Sequence, residues 1–154
     1  MAEENVAETI VAANDGGEAG AAHAGMEIDL PEVKAEVEAA FAGYEAALIA
    51  NDVEALDGFF RADGRTIRFG AGENLYGIEE IRAFRLGRSP VGLARTLSHT
   101  VITTFGRDFA VASTLFKRVG DGGRVGRQQQ TWVRFPEGWR VVAAHVSVLS
   151  AVVP

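Results

Sequence analysis

Four long β-rich runs follow Pro90, at 95–105, 109–119, 124–135 and 139–149, and only GRD, GDGG and PEG separate them. Breaks this short, built from turn-forming residues, leave consecutive strands no route except back alongside one another. The pattern therefore predicts a four-stranded antiparallel meander. A meander of that length must bury one face, and only the segments upstream of Pro90 can cover it. Helices first and a curved antiparallel sheet afterwards make the fold class α+β.

The upstream segments have the pattern such a cover needs. Asp29 and Pro31 supply a candidate cap and a first-turn proline. Val33, Val37, Phe41, Tyr44 and Leu48 then recur at helical spacing, so they form one apolar stripe on a helix of about five turns. Asn51 and Asp52 break it, VEALDGFF (53–60) predicts a second, short helix, and TIRF (66–69) a short strand. GIEEIRAFRLGRSP (77–90) predicts a third helix, closed by Gly87 and Pro90.

A length of 154 residues suits one domain. Residues 1–25 carry five of the 21 acids and no Lys or Arg, and Ala and Gly dominate the remainder. That composition predicts a disordered acidic tail, with the folded domain spanning 26–154. From Met26 onward 16 acids face 15 bases, which gives no broad basic field for nucleic acid. No run approaches the roughly 18 apolar residues of a membrane helix. The absence of cysteine excludes disulfides and thiolate chemistry and fits a cytoplasmic location. Of the 15 bases 13 are arginine, whose planar fork suits small carboxylates.

Candidate chemistry concentrates in the strands. In GRQQQTW (126–132) Gln128, Gln130 and Trp132 share one face while Arg127, Gln129 and Thr131 share the other. Either choice of inner face takes polar groups inward, where a cavity with water or a polar ligand can satisfy them. The alternative is a strand whose polar middle lies at an exposed or dimer-forming position. Alternation places His145 with Trp139, Val141, Ala143 and Ser147, as a hydrogen-bonded core residue or a lining residue. His145 and His99 lack acidic neighbours at ligand spacing, so no metal and no cofactor is expected. Arg82, Arg85 and Arg88 form a row at i, i+3 spacing with Glu79 placed to pair with Arg82. Such a row is ordinarily solvated, and only Arg85 borders the apolar stripe, four residues after Ile81. Tyr44 within a helical stripe is ordinarily packing, and Arg68 within TIRF ordinarily points to water. GAGENLYG (70–77) lacks the lysine of a phosphate loop, and no serine sits in a nucleophile elbow.

The element order resembles the cone-shaped superfamily of nuclear transport factor 2, the SnoaL-like cyclases and the ketosteroid isomerases, and YEAALIANDVEALDGFF looks like its first two helices. In the steroid isomerases an oxyanion-binding tyrosine occupies the position of Tyr44, and a general-base aspartate the position held here by Arg68. A site changed in sign can hold an anion and cannot enolise a steroid by that route. A closer resemblance is to the AtzH-like family, which includes the HpxZ proteins of oxalurate catabolism. It rests on YEAAL (44–48), TIRFGAGENLYG (66–77), IRAFR (81–85), VITTFGRDFA (101–110), GRQQQTWVR (126–134) and GWRVVAAHVS (138–147). Phe69 and Phe105 stand where the family has Tyr, and Gln129 where it has Ser.

That resemblance implies a small-pocket enzyme of nitrogenous-compound catabolism working beside an amidase. Its reaction would be the decarboxylating hydrolysis of a carboxylated urea such as 1,3-dicarboxyurea to allophanate. Tyr44 and Arg68 match the family's catalytic tyrosine and arginine. On this reading Arg68 points into the cone and fixes the spectator carboxylate, while Tyr44 donates a proton or stabilises developing charge. Asn74, Arg85, Gln128, Gln130 and His145 would surround the substrate. The partners expected are a small ureide or urea-type anion and a second copy of the chain, with neither nucleic acid nor membrane. The competing reading is a non-catalytic ligand-binding or accessory protein for the amidase, and a cone filled with side chains would favour a pure dimerisation module.

The composition of the first 25 residues also gives a stability expectation. A chain beginning at Met26 keeps its melting temperature within a few degrees, a change of about 1 kcal/mol or less, by calorimetry. A larger loss would show that the tail packs on the domain.

Overall fold

The computed structural model describes residues 25–150, so the predicted tail lies, apart from Gly25, outside the described residues. Helix α1 (Pro31–Ile49) begins at the proline, which needs no N–H donor there, and buries Val33, Val37, Phe41, Tyr44, Ala47 and Leu48 along one side. Its N-cap is Leu30 and not Asp29. Asp29 instead pins the entering chain to the sheet: its Oδ1 accepts from the Thr104 N–H at 2.9 Å, and its own N–H donates to the Thr104 carbonyl at 3.0 Å. The Thr104 N–H holds the Asp29 carboxyl below its ordinary value; partial desolvation opposes this and Lys34 adds to it. The sign follows from a depressed folded value: the contribution is present above the ordinary carboxylate range and is lost as pH falls through the folded value.

Asn51 adopts a left-handed backbone (φ 50°) after α1, and Asp52 caps α2 (Val53–Gly58) by accepting from the Ala55 N–H at 3.1 Å. Strand β1 (Ile67–Phe69) is followed by β2 (Asn74–Tyr76), a three-residue strand that the sequence pattern does not reveal. Helix α3 (Ile78–Gly87) follows Gly77, whose φ of 88° favours glycine. The meander is β3 (Arg95–Phe105), β4 (Phe109–Arg118), β5 (Gly126–Phe135) and β6 (Gly138–Val148).

All six strands form one sheet in the order β2-β1-β6-β5-β4-β3. The expected antiparallel meander is present, and β1 joins it in parallel with β6, as a connection through α3 and four strands allows. Two irregularities bend the sheet. One lies between Ser98 and Val101 of β3, where His99 has φ 50°, and the other lies opposite Thr131/Trp132, where β6 carries Val142 as an extra residue. The inner face carries Ile102, Ala110, Ala112, Trp132, Val141 and Ala144, and α1 lies across it to form the core.

The inner face is packed tightly at its β4–β5 end. A Cβ on Gly126 would meet the Phe116 ring at 2.1 Å, whereas one on Gly58 would meet nothing within 4 Å. Gly126→Ala is therefore expected to lose about 1–3 kcal/mol in urea denaturation through overpacking. Gly58→Ala, at the end of α2, should be neutral or slightly stabilising.

Candidate functional site

One rung of the sheet organises the inner face. Leu75, Arg68, Ala144, Gln130, Ala112 and Ile102 are register partners across all six strands. The two alanines that flank Gln130 are too small to cover it, so the Gln130 amide faces into the cone beside the inward-pointing Arg68. Gln128 lies one step further along β5 on the same face, and both glutamines are buried, at 4% and 1% exposure for Gln128 and Gln130. The face left open by alternation is thereby decided.

Each glutamine is held by its oxygen. Arg95 Nη2 donates to Gln128 Oε1 at 2.9 Å, and Trp132 Nε1 donates to Gln130 Oε1 at 3.2 Å. Guanidinium and indole nitrogens only donate, so each contact fixes which end of its amide is oxygen. The Nε2 groups must then point away, and both are buried without a partner among the described residues. Arg95 is itself sealed (side chain 1% exposed), bound side-on by Glu45 of α1 with Nε–Oε1 2.8 Å and Nη2–Oε2 2.7 Å. It also lies over the Phe116 ring at 4.6 Å.

Tyr44 comes to the same region from α1, one residue before Glu45. Its ring meets Trp132 edge-on at 6.4 Å, with Phe59 at 6.3 Å and Phe60 at 6.1 Å. Phe59 and Trp132 also meet, at 6.3 Å, so these rings form one cluster on the strand that carries Gln128 and Gln130. Arg85 is buried, as its place beside the apolar stripe suggests: its Nη1 donates to Asp57 Oδ1 at 2.7 Å, and its guanidinium lies 4.2 Å over Phe60. Burial lowers its pKa; Tyr44 and Asp57 oppose that, and Arg68 adds to it.

Arg68 points inward and does grip a carboxylate, but one belonging to this chain. Its Nη1 bonds Glu73 Oε1 at 2.7 Å, and the Arg68 and Glu73 side chains are 12% and 22% exposed. Glu73 follows a tight turn in which Gly70 N–H donates to the Glu73 carbonyl at 2.8 Å and Gly72 N–H to Glu73 Oε2 at 3.2 Å. A Cβ on Gly70 would stand 1.7 Å from Glu73 Oε1, so a larger residue there would push the Glu73 carboxylate from its place beside Arg68.

Two expected site residues lie elsewhere. Asn74 pairs with Phe69 and His145 pairs with Gln129, so both belong to the opposite, outer rung, and both are exposed. The extra residue Val142 reverses the parity of β6: Val141 and Ala144 face inward together, and His145 turns outward. There His145 lines an outer cavity of about 590 Å³ with His99, Ser113 and Gln129. A larger cavity, about 810 Å³, opens between α2, α3 and the β5–β6 turn, beside Asp57, Arg61 and Arg140. It lies away from the inner amides, whose donors are buried.

Arg88, which the i, i+3 row of arginines predicts to be solvated, is instead partly buried. It follows the last residue of α3 and is half-buried overall, yet its Nε and Nη2 are buried and without a partner among the described residues. Burial and then Arg85 hold its pKa down, with Tyr44, Arg68 and Arg118 also acting on it. Arg82 behaves as expected, pairing with Glu79 at 3.0 Å on the surface.

The site can therefore receive hydrogen-bond acceptors from a small, negatively charged molecule. The Gln128, Gln130 and Arg88 orphans are all N–H groups, and buried donors of this kind call for partners. Glu45 maintains the arrangement. Glu45→Ala should cost about 3–5 kcal/mol in urea denaturation, because it leaves the buried Arg95 without its counter-ion. A loss below about 1 kcal/mol would show that Arg95 is satisfied in some other way.

Comparison with known proteins agrees with this architecture. The AtzH-like family model matches residues 26–151. A Pectobacterium atrosepticum protein of unknown function from the DUF3225 family is 61% identical, with 80% of this chain and 95% of that one covered and a TM-score of 0.78. A cystatin-like fold protein from Burkholderia xenovorans is 46% identical, with 82% and 99% covered and a TM-score of 0.78. An NTF2-like protein of unknown function from Pseudomonas putida, 19% identical with 75% and 86% covered, shares the fold at a TM-score of 0.66. No curated protein matches.

Proposed function

Because the chain belongs to the AtzH-like family, we propose that it is a metal-independent enzyme of small nitrogenous compounds that removes carbon dioxide from a carboxylated urea. The model reaction takes 1,3-dicarboxyurea and a proton to allophanate and carbon dioxide. One C–N bond breaks, its electron pair remains on nitrogen, and the proton goes to that nitrogen. The observation that carries this reading is the inner face itself: Arg68 shares a rung with Gln130, Tyr44 packs on Trp132 of the same strand, and the buried N–H donors of Gln128 and Gln130 have no acceptor among the described residues.

The chemistry asks for little else. A carbamate loses carbon dioxide readily once its nitrogen can take up a proton, so neither nucleophile nor metal is needed. Tyr44 is the proton donor, or the hydrogen-bond donor to the charge that develops. Arg68, held through Nη1 by Glu73, presents its remaining edge to a carboxylate. Gln128 and Gln130 direct their amide N–H groups at the urea carbonyl, and Arg85 completes the cationic wall. Asn74 and His145, on the outer rung, take no part. Allophanate is an amide, so the reaction that consumes it is amide hydrolysis, which supports a functional link with an amidase. Homodimerisation would use the outer face of the sheet, which none of the described helices covers and where Val101 is 59% exposed.

Carbon dioxide release from 1,3-dicarboxyurea tests the proposal directly. Tyr44→Phe is expected to lower kcat by about a hundredfold or more with the fold preserved. Arg68→Lys keeps the charge but loses the fork, and should raise KM and lower kcat together. The double variant should be hardly slower than the worse single one, since the two groups act as a unit. Wild-type turnover in Tyr44→Phe would overturn the role given to Tyr44, and no turnover in the wild type would favour a ligand-holding partner of the amidase.

A further inference from the structure

The arginines around the inner site differ in how they are neutralised. Arg85 has Asp57 at 2.7 Å, Arg95 has Glu45 at 2.7 Å and Arg68 has Glu73 at 2.7 Å. Arg88 offers Nε and Nη2 together, buried, with no partner among the described residues. Those two nitrogens form the side-on edge of a guanidinium, the same edge with which Arg95 grips both oxygens of Glu45. The geometry points to Arg88 as the residue that binds the carboxylate the substrate retains, with Arg68 facing the carboxylate that departs.

The assignment rests on the decarboxylation reading and adds to it a division of labour between two arginines. A departing carboxylate becomes neutral carbon dioxide, so a full cation bound to it stabilises the ground state more than the transition state and slows the reaction. A retained carboxylate keeps its charge throughout, and binding it as tightly as possible does not oppose the chemical step. Arg88, with no carboxylate partner among the described residues, suits the retained group. Arg68, already half-engaged by Glu73, suits the departing one. This reverses the role expected for Arg68 from the family resemblance. It also defines a substrate class: small acyclic ureas or amides that carry one carboxylate to be kept and one to be lost. A mono-acid lacking the departing group should bind at the Arg88 edge without reacting.

The test compares N-carbamoylglycine, a stable ureido acid, with its primary amide by titration calorimetry, beside steady-state turnover of 1,3-dicarboxyurea. Wild-type protein should bind the acid about tenfold or more tightly than the amide, the usual scale for hydrogen bonds to a charged group. Arg88→Gln should abolish that preference and raise KM while leaving kcat within a few-fold of wild type. Arg88→Lys, which retains charge and guards against a folding defect in Arg88→Gln, should restore only part of it. Arg68→Gln, which loses the fork that orients the departing carboxylate, should keep the acid preference and lower turnover, and Arg82→Gln, on the surface, should change neither. An acid preference that survives Arg88→Gln, one lost in Arg68→Gln, or a wild type with no preference would each overturn the assignment. Should wild type show an Arg88-dependent preference but no turnover, the carboxylate site stands and the proposed reaction falls.

Discussion

Arg95 pins the helix to the sheet, and the rest of the interior is arranged around it. It is sealed between Glu45 of α1 and Gln128 of β5, so one guanidinium fixes the rotation of the helix and the orientation of an amide together. The rotation matters because Tyr44 precedes Glu45, and a turn of α1 about its axis would carry the phenol away from Trp132. A buried ion pair is a poor source of net stability. Its value here is in specifying one arrangement of α1 over a face that hydrophobic packing alone would hold less strictly.

The polar half of the cone follows from that constraint. Once Arg95 and Trp132 have claimed the two glutamine oxygens, the amide nitrogens can only be donors to something else. At the two glutamines hydrogen-bonding capacity is thereby left over as N–H without C=O. Arg88 adds two more donors, and Arg85 and Arg68 add positive charge already matched by Asp57 and Glu73. An interior of this kind discriminates by proton inventory: a molecule rich in N–H and poor in oxygen gains little there.

Much of this was legible in the sequence, and the failures have local causes. The α1 stripe and the four long strands could be read because each carries a period repeated many times, which a single irregularity does not erase. Arg68 could be singled out because a charged residue in a short apolar strand is conspicuous. The three-residue β2 is too short to carry a period, so Asn74 could not be assigned a face. His145 was misassigned because strict alternation along β6 is broken by Val142, and one extra residue inverts every position beyond it. Arg88 was passed over because an i, i+3 row of arginines looks the same whether it meets water or a protein interior. Only the end of α3, where the row leaves the helix, separates Arg88 from Arg82. The choice between the two faces of GRQQQTW needed partners from β3 and α1 that lie far off in sequence.

The turn at Gly70–Glu73 bears on how the domain can assemble. By leaving out one carbon at Gly70, the chain makes room for Glu73 to fold back and act as the resident counter-ion of Arg68. A cone with an unmatched arginine at that rung would depend on a borrowed anion to complete its folding, and its stability would then follow the concentration of that anion. Here the chain carries its own for Arg68, so this rung can form in ligand-poor conditions, and Arg88 is left for the ligand to neutralise. The residue at position 70 thus bears on whether the protein is autonomous or ligand-dependent, although its backbone conformation demands no glycine.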